Sequence, residues 1–323
     1  MNEQLIQLKN LAIMITDKCN LDCYHCFRVE NKCDNEFDYK YINKLADFVG
    51  KTSIDYLRIT GGEPFLYKNI SSVIKQFSKQ DITTSIVTNG IVSNKTMLLD
   101  LKDSGISEIW FSVHSIRPNT HDKLVMKNGT LKNIIKSIET SIELNIKTNI
   151  YLPVSHYNLN DVEETLTWLD NLNVNRVKIL RITPLGKALH GSFNHITDIE
   201  WQFLIAKIKK MNLDNTSLKI QGIIKNNHVP KCTVLPFKHL NIDTSGNIYP
   251  CCLMSGNKEF SIGHINDLYK QDSLIKLANN SVNIMKLKGP FPCVNSNTTK
   301  GCLLHSEVIE IEKINQINKK NWR

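Results

Sequence analysis

Residues 16–27 read Thr-Asp-Lys-Cys-Asn-Leu-Asp-Cys-Tyr-His-Cys-Phe, which places cysteines at positions 19, 23 and 26 directly after the apolar run 11–15. Three thiolates on one short loop can hold three irons of a [4Fe–4S] cluster, whereas a fourth cysteine would close it. The remaining iron keeps an open position, which allows a metal centre to bind and activate a small molecule. We therefore predict that Cys19, Cys23 and Cys26 hold a cluster with one open iron.

Two other uses of these cysteines have to be weighed. A zinc site normally takes four ligands in paired Cys or His units, and His25 inside the loop offers a fourth. A disulfide framework is typical of small, cysteine-dense secreted chains, whereas this chain has 323 residues and nine cysteines. A second motif, described below, favours the iron–sulfur cluster over both.

The composition sets the class of protein. With 41% hydrophobic residues the chain can bury a sizeable core, and we expect one large and one smaller domain. It shows neither the basic start of a secretion signal nor an apolar run of membrane-span length, so we expect a cytoplasmic protein with reduced thiols and no membrane partner. The formal net charge of +9 suits an anionic partner. The basic residues are spread along the chain, however, so a solvated surface explains them better and nucleic acid is not expected.

Strand-like and helix-like segments alternate between residue 10 and about residue 182. Apolar or β-branched runs predict six strands, at residues 11–16, 56–60, 83–88, 108–113, 147–152 and 177–182. Helical patterns lie between them, at residues 39–49, 71–77, 95–102, 131–144 and 162–172. This α/β alternation predicts a parallel sheet wrapped by helices, and the count of six indicates a partial (β/α)6 TIM-like barrel. Its chemistry belongs at the carboxyl ends of the strands.

The second motif follows the second predicted strand and reads Thr60-Gly-Gly-Glu-Pro64. Its glycines let the backbone approach a ligand closely, and Glu63 supplies a hydrogen-bond acceptor. Alone, the motif would be an ordinary turn. Together with the cysteine loop that precedes it, this motif makes the sequence resemble those of the radical S-adenosylmethionine (SAM) enzymes. The resemblance implies that the open iron chelates SAM through its amino and carboxylate groups, and that one electron cleaves the sulfonium to give a 5′-deoxyadenosyl radical.

The same resemblance implies a set of SAM-binding positions at the strand ends. These are His25, Gly61, Gly62, Glu63, Asn89, Ser112, Asn149 and Arg181. Plain structural roles remain open for Asn149 and Arg181. His114, close to Ser112, is either a structural histidine or a substrate contact.

A second cysteine group begins at Cys232 and continues through Gly246 to Cys251. The alternating pattern of residues 240–250 around the turn Asp-Thr-Ser-Gly predicts a β-hairpin. This segment resembles the twitch domain, the shortened auxiliary-cluster domain of radical SAM enzymes that otherwise carry a longer SPASM extension. The resemblance implies that a second [4Fe–4S] cluster is held by Cys232, Cys251, Cys293 and Cys302. A structural zinc site is the alternative, and one of the last two cysteines is a candidate for a free thiol.

The predicted organisation has three parts: a radical SAM partial barrel over residues 1–190, a linking helical segment over 191–228, and a small β-hairpin-containing, twitch-like domain over 229–323. Cys252 adjoins a predicted cluster ligand. It is either a small buried residue or a hydrogen-atom donor, since a thiol S–H can quench a carbon radical, as in radical SAM epimerases. Cys33 is a weaker candidate for that role.

Three functions are compatible with these features. The first is modification of a ribosomally made peptide, with L-to-D epimerisation and Cys252 as donor. The second is dehydrogenation or epimerisation of a small molecule, such as an amino sugar. The third is the GTP cyclisation that begins molybdopterin synthesis, placed last because its enzymes hold the second cluster with a C-x2-C-x13-C pattern that this sequence lacks. All three require an electron-donating reductase of the flavodoxin or ferredoxin type, and a mere electron carrier would not need Gly61-Gly-Glu63.

Overall fold

The computed structural model describes residues 6–26, 34–182, 186–189, 194–223, 237–269, 273–288 and 307–311. The strands are β1 Ile6–Thr16, β2 Tyr56–Gly61, β3 Thr83–Thr88, β4 Glu108–Ser112, β5 Lys147–Val154, β6 Arg176–Arg181, β7 Ser217–Ile223, β8 Phe237–Ile242, β9 Asn247–Tyr249, β10 Gly263–His264 and β11 Glu307–Ile311. The helices are α1 Lys40–Val49, α2 Ile70–Ser78, α3 Lys95–Asp103, α4 Pro118–Val125, α5 Leu131–Glu143, α6 Val162–Asn171, α7 Asp198–Ile208 and α8 Ser273–Lys288.

These strands form one sheet in the order β10-β9-β8-β1-β2-β3-β4-β5-β6-β7-β11. From β8 through β1 to β7, every neighbouring pair is parallel. The six predicted strands and the five predicted helices are all present, which confirms the α/β class and a parallel sheet consistent with a partial TIM-like barrel. Because parallel strands share one polarity, the loops after β1 to β4 gather at one edge of the sheet.

The helices cover the outer face of the sheet with apolar side chains at helical spacing. In α2, for example, Ile70, Val73, Ile74 and Phe77 recur three and four residues apart, and all four are buried. The strands contribute the matching layer, in which Leu57 and Ile59 of β2 have no exposed surface. Burying one such side chain contributes about 1.5–3 kcal/mol, so this layer holds the strand ends in fixed positions.

The segment 191–228, which we expected to be a helical link, also contains a strand. Its helix is α7, but Ser217–Ile223 forms β7 and pairs in parallel with β6, where Val177 lies opposite Leu218. Leu218 and Ile220 are buried at a spacing of two residues, the pattern of a strand with one face on the core. The parallel series therefore has one strand more than the six we predicted on this side.

The predicted hairpin is confirmed, and it belongs to the same sheet as the barrel strands. Strands β8 and β9 are antiparallel, with Ile242 opposite Ile248, and Gly246 in the turn has a φ of +85°, which favours glycine. Strand β8 also pairs in parallel with β1, where Ile13 lies opposite Ile242. The domain boundaries themselves stay predictions. None of the helices in the described part of the chain is long and apolar enough to cross a bilayer.

Candidate active site

The three cysteines of the loop after β1 are half-buried. The loop is held by backbone bonds at both of its sides: Tyr24 N donates to the carbonyl of Leu124 at 2.8 Å, and Lys187 N donates to the carbonyl of Cys26 at 2.9 Å. Burial, reinforced by the neighbouring Cys26 and Cys19, raises the pKa of the Cys23 thiol to about 12. A cationic group beside Cys23, as an iron–sulfur cluster provides, would favour its thiolate form.

The donor set can be compared with a single metal ion. Among the described residues, no three His, Cys, Asp or Glu side chains converge as ligands of one ion. A zinc site needs its ligands about 2.0–2.3 Å from a single point. In a cubane cluster each thiolate binds a different iron, so convergence on one point is not required of Cys19, Cys23 and Cys26. These residues fit a [4Fe–4S] cluster in the donor type and in their number.

The two glycines after β2 are required by the approach of the cluster loop. Gly62 N donates to Thr16 O and Glu63 N donates to Lys18 O, each at 2.8 Å. A Cβ on Gly61 would lie 2.3 Å from Thr16 O, and one on Gly62 would lie 2.1 Å from Lys18 O. Side chains are thus excluded at both positions, and the Gly-Gly pair sets the distance between the cluster loop and β2.

Glu63 binds the turn after β3. It is fully buried, and its Oε1 accepts from Thr88 Oγ1 at 2.7 Å and from Phe65 N at 3.0 Å, while its Oε2 accepts from Asn89 N at 2.7 Å. Burial raises the pKa of Glu63 to about 7, against these three hydrogen bonds, which lower it. The carboxylate therefore fixes the Thr88-Asn89 turn. The backbone carbonyl of Glu63 accepts from Leu66 N at 3.0 Å, which closes the short turn after β2.

Asn89 connects this turn to the cysteine loop. Its Nδ2 donates to Asn20 Oδ1 at 2.8 Å, and its Oδ1 accepts from Ile91 N at 3.0 Å. Sequence reasoning did not single out Asn20, although its place inside the cysteine loop was a signal. The structure thus brings the loop, Gly61, Gly62, Glu63 and Asn89 together through direct hydrogen bonds.

Three histidines, one of them His25 of the cysteine loop, pack against one another. The ring centroids of His25 and His114 are 4.7 Å apart, and those of His114 and His121 are 5.3 Å apart. Burial lowers the pKa of all three, to about 4 for His25 and for His121, so the rings are neutral near pH 7. His114 thus makes an edge-on ring contact with His25 of the cysteine loop and a tilted one with His121. Ser112, the last residue of β4, is half-buried.

Two predicted SAM positions, Asn149 and Arg181, have structural partners instead. Asn149 is the third residue of β5, far from the carboxyl end of that strand, and its Nδ2 donates to Glu108 Oε2 at 3.1 Å. Arg181 does lie at the carboxyl end of β6, but its guanidinium binds Asp198 Oδ1 and the carbonyl of Ile196, each at 2.5 Å. These contacts agree with plain structural roles for both residues.

Lys187 is a residue of this end of the barrel that sequence reasoning left unassigned. Its ammonium forms an ion pair with Asp22 in the cysteine loop, and its backbone N–H binds Cys26 as described above. Lys187 therefore binds the cysteine loop through both its side chain and its backbone.

The opposite end of the barrel holds the second candidate site. Strand β9 runs back along β8, so that Cys251 and Cys252 lie beside Asn10, near the start of β1. They line a cavity of about 170 Å³ whose other walls come from β1, β2, β6, β7 and β8. Thr16 lies six residue steps along β1 from Asn10, which corresponds to about 20 Å. The cavity and the cluster loop therefore lie at opposite ends of the lumen.

Cys252 is half-buried in this cavity and Cys251 is buried. A hydrogen bond with Cys251, together with the cations Arg58 and Lys178, lowers the pKa of Cys252 to about 7. Neither Arg58 nor Lys178 was singled out from the sequence, although a charged residue in the middle of a buried parallel strand was a signal. Three of the predicted auxiliary ligands, Cys232, Cys293 and Cys302, lie outside the described residues, as does Cys33.

Comparison with known proteins agrees with the resemblance. Residues 13–169 match the sequence model of the Radical SAM superfamily, so the chain contains a radical SAM domain. Such a domain implies a [4Fe–4S] cluster and SAM as its cofactors. Among curated relatives, the probable GTP 3′,8-cyclase of Methanocaldococcus jannaschii is 28% identical over 200 residues, which cover 60% of this chain and 65% of the relative. The GTP 3′,8-cyclase of Aquifex aeolicus is 29% identical over 207 residues, covering 60% and 62%. The match thus spans under two thirds of the length of these relatives.

Solved structures are similar over a larger share of the chain. Streptococcus suis SuiB bound to its precursor peptide SuiA superposes with a TM-score of 0.67 at 17% identity, covering 83% of this chain and 66% of SuiB. The protein anSMEcpe, bound to AdoMet and the Cp18Cys peptide, gives 0.68 at 15% identity, covering 92% and 89%. At these identities the similarity is one of fold.

Proposed function

We propose that this chain is a radical SAM enzyme that epimerises residues of a ribosomally made peptide from L to D, with Cys252 as the hydrogen-atom donor. The observation that supports this most is the position of Cys252. It lines a lumen cavity at the end of the barrel opposite the cluster loop. Inversion of a stereocentre requires removal of hydrogen from one face and its return from the other, and a substrate between the two ends presents one face to each.

Bound at Cys19, Cys23 and Cys26, the cluster and SAM would supply a 5′-deoxyadenosyl radical that removes the hydrogen from the substrate Cα. The chain's own part begins with Gly61 and Gly62, whose backbone approaches the bound SAM, and with Glu63, which fixes the Thr88-Asn89 turn beside it. On the other side, Cys252 breaks its S–H bond and forms the new Cα–H bond. The resulting thiyl radical takes up one electron, delivered by the flavodoxin- or ferredoxin-type reductase, and one proton from solvent.

Two similar folds support a peptide as the substrate. Both SuiB and anSMEcpe were solved with peptides, and each covers most of this chain in fold.

The test uses the short peptides encoded by open reading frames next to the gene. The reconstituted enzyme, SAM and a reductant are incubated with each peptide in heavy water. We expect a D-residue that carries one deuterium, because a thiol hydrogen exchanges with solvent. The Cys252→Ala variant should still cleave SAM but form no epimer, whereas Cys33→Ala should behave as wild type. Deuterated epimer from Cys252→Ala would show that the donor is another group.

GTP cyclisation is the second candidate, because the relatives matched by sequence are GTP 3′,8-cyclases. Incubation of the same enzyme with GTP and SAM distinguishes the two functions. Consumption of GTP together with formation of 5′-deoxyadenosine, and no change in any peptide, would show that the reaction is cyclisation and not epimerisation. We expect GTP to remain unchanged.

A further inference from the structure

The cavity beside Cys252 contains two positively charged side chains. Arg58 lies in β2 between the buried residues Leu57 and Ile59, and Lys178 lies in β6 between the buried residues Val177 and Ile179. Side chains alternate between the faces of a strand. The flanking residues pack in the hydrophobic core, so Arg58 and Lys178 point to the other face, and both line the cavity.

These two cations have no carboxylate partner in the described part of the chain, although the Cys252 thiol, whose pKa they lower, lies in the same cavity. No carboxylate of the described residues lies within salt-bridge distance of either cation. Arg58 Nε is buried without a hydrogen-bond partner among the described residues. Lys147, by contrast, has Glu108 at 3.3 Å. Burial, with the nearby Arg58 and Lys219, lowers the pKa of Lys178 to about 8.

Aromatic rings give these cations only partial compensation. The guanidinium of Arg58 is 5.7 Å from the ring centroid of Tyr56, and the ammonium of Lys178 is 5.8 Å from that of Tyr151. Such contacts are weaker than the desolvation that burial of an ion costs. Both side chains are half-buried, and charges taken partly out of water are generally paired or bind a ligand. This pair faces an open cavity.

The size of the cavity limits the anion. Its volume is about 170 Å³, whereas a cavity of about 150 Å³ in another protein holds one benzene molecule. A carboxylate on a short carbon chain fits inside such a space, whereas a nucleoside triphosphate would extend beyond it. The guanidinium fork also matches the two oxygens of a carboxylate in a bidentate pair.

Building on the proposed peptide substrate, we infer that Arg58 and Lys178 form a binding site for a carboxylate of that peptide, which holds the peptide in the lumen beside Cys252. The carboxylate is either an acidic side chain or the C terminus. Arg58 and Lys178 would then select substrates that carry a carboxylate, because an uncharged substrate would leave both cations unpaired.

The test measures the thermal unfolding midpoint of the reconstituted enzyme under anaerobic conditions at matched ionic strength. The probes are N-acetyl-glutamate α-amide for a side-chain carboxylate, N-acetyl-alanine for a terminal one, and N-acetyl-glutamine α-amide as the uncharged control. Wild type should gain about 2 °C with one of the two carboxylates at about ten times its Kd, and nothing with the amide. Arg58→Gln and Lys178→Met should abolish that gain. Lys147→Met is the matched control and should keep it, because that cation already has its carboxylate.

Three results would overturn the proposal. A larger shift with inorganic triphosphate than with either carboxylate would indicate a phosphorylated substrate. Loss of about four irons per chain in Arg58→Gln would mean that the cations balance the charge of a second cluster. The absence of any shift in wild type, or equal shifts in every variant, would exclude an anion site. These shifts need no turnover, so they succeed or fail independently of the epimerisation assay.

Discussion

The two ends of the barrel lumen are built in contrasting ways. At the carboxyl end, polar groups bind one another: Glu63 holds Thr88 and Asn89, and Asn89 reaches Asn20 in the cysteine loop. At the end near Cys252, Arg58 and Lys178 face a cavity with no carboxylate among the described residues beside them. Glu63 and Asn89 at the first end are thus paired within the protein, whereas the two cations at the second end have no carboxylate partner among the described residues.

This difference separates two kinds of site. A cofactor that is the same in every turnover can be bound by short backbone segments with fixed spacing, such as Gly61-Gly62 against Thr16 and Lys18. A substrate is bound by single side chains from different strands. We therefore expect mutations at the carboxyl end to change SAM cleavage, and mutations at the end near Cys252 to change substrate binding and hydrogen return.

The largest expected effect follows removal of the three thiolates at the carboxyl end. The Cys19/Cys23/Cys26→Ala variant should form no 5′-deoxyadenosine above the enzyme-free level, because three irons lose their ligands. Cys252→Ala, at the other end, should retain SAM cleavage. The assay is quantification of 5′-deoxyadenosine by chromatography with excess reductant, and SAM cleavage by the triple variant would contradict the assignment of the loop.

Gly62→Ala should lower the rate of SAM cleavage by about 100-fold, because a misplacement of about 1 Å at a reacting centre can cost that much. The new Cβ would lie 2.1 Å from Lys18 O, a backbone atom of the cluster loop. Gly50→Ala is the matched control, since its Cβ would also meet an atom at 2.1 Å, but that atom is Oε1 at the end of the flexible Gln80 side chain. Equal rates for the two variants would show that the close approach has no role.

Glu63→Gln should change how stability depends on pH. The folded-state pKa of about 7 lies above the ordinary value of 4.5, so between these values the folded protein binds more protons than the unfolded chain. The free energy of unfolding of wild type should therefore fall as pH rises from about 4.5 to 7, by on the order of 3 kcal/mol, relative to Glu63→Gln. Urea unfolding of both proteins at pH 5, 6, 7 and 8 measures this. A constant difference across the series would refute the buried carboxylate as described.

The smallest effect on SAM is expected for Asn149→Ala. Because Asn149 Nδ2 donates to Glu108 away from the carboxyl end, this variant should lose about 1–2 kcal/mol of unfolding free energy and keep the wild-type KM for SAM. Ser112→Ala, at the carboxyl end of β4, should raise that KM. A raised KM in Asn149→Ala alone would restore the role that the sequence predicted for it.

The strands and the motifs of the carboxyl end could be predicted because each depends on nearby residues. Each of the strands β1 to β6 is one short stretch of mostly apolar or β-branched residues, and Cys19, Cys23 and Cys26 all lie within one loop. Strand β7 was missed because the polar residues Lys219 and Gln221 alternate with the apolar Leu218 and Ile220, in a segment that also contains α7.

The cavity end could not be predicted in the same way. Arg58 and Lys178 are 120 positions apart, and only the closing of the sheet brings them to one cavity. The partners of Asn149 and Arg181 are likewise set by tertiary packing, with Glu108 from the neighbouring strand and Asp198 from the start of α7. Charge inside a parallel strand is the signal that sequence reading can use for such sites.

We further propose, as the resemblance implies, that Cys251 helps to hold a second [4Fe–4S] cluster at the end of the lumen opposite the cysteine loop. It is tested most directly by iron and sulfide content after anaerobic reconstitution of wild type, the Cys19/Cys23/Cys26→Ala variant and Cys251→Ala. We predict about eight irons in wild type and about four in each variant, with SAM cleavage retained only in wild type and Cys251→Ala. A triple variant that holds essentially no iron would contradict the account, because a single cluster would then have to support all the chemistry.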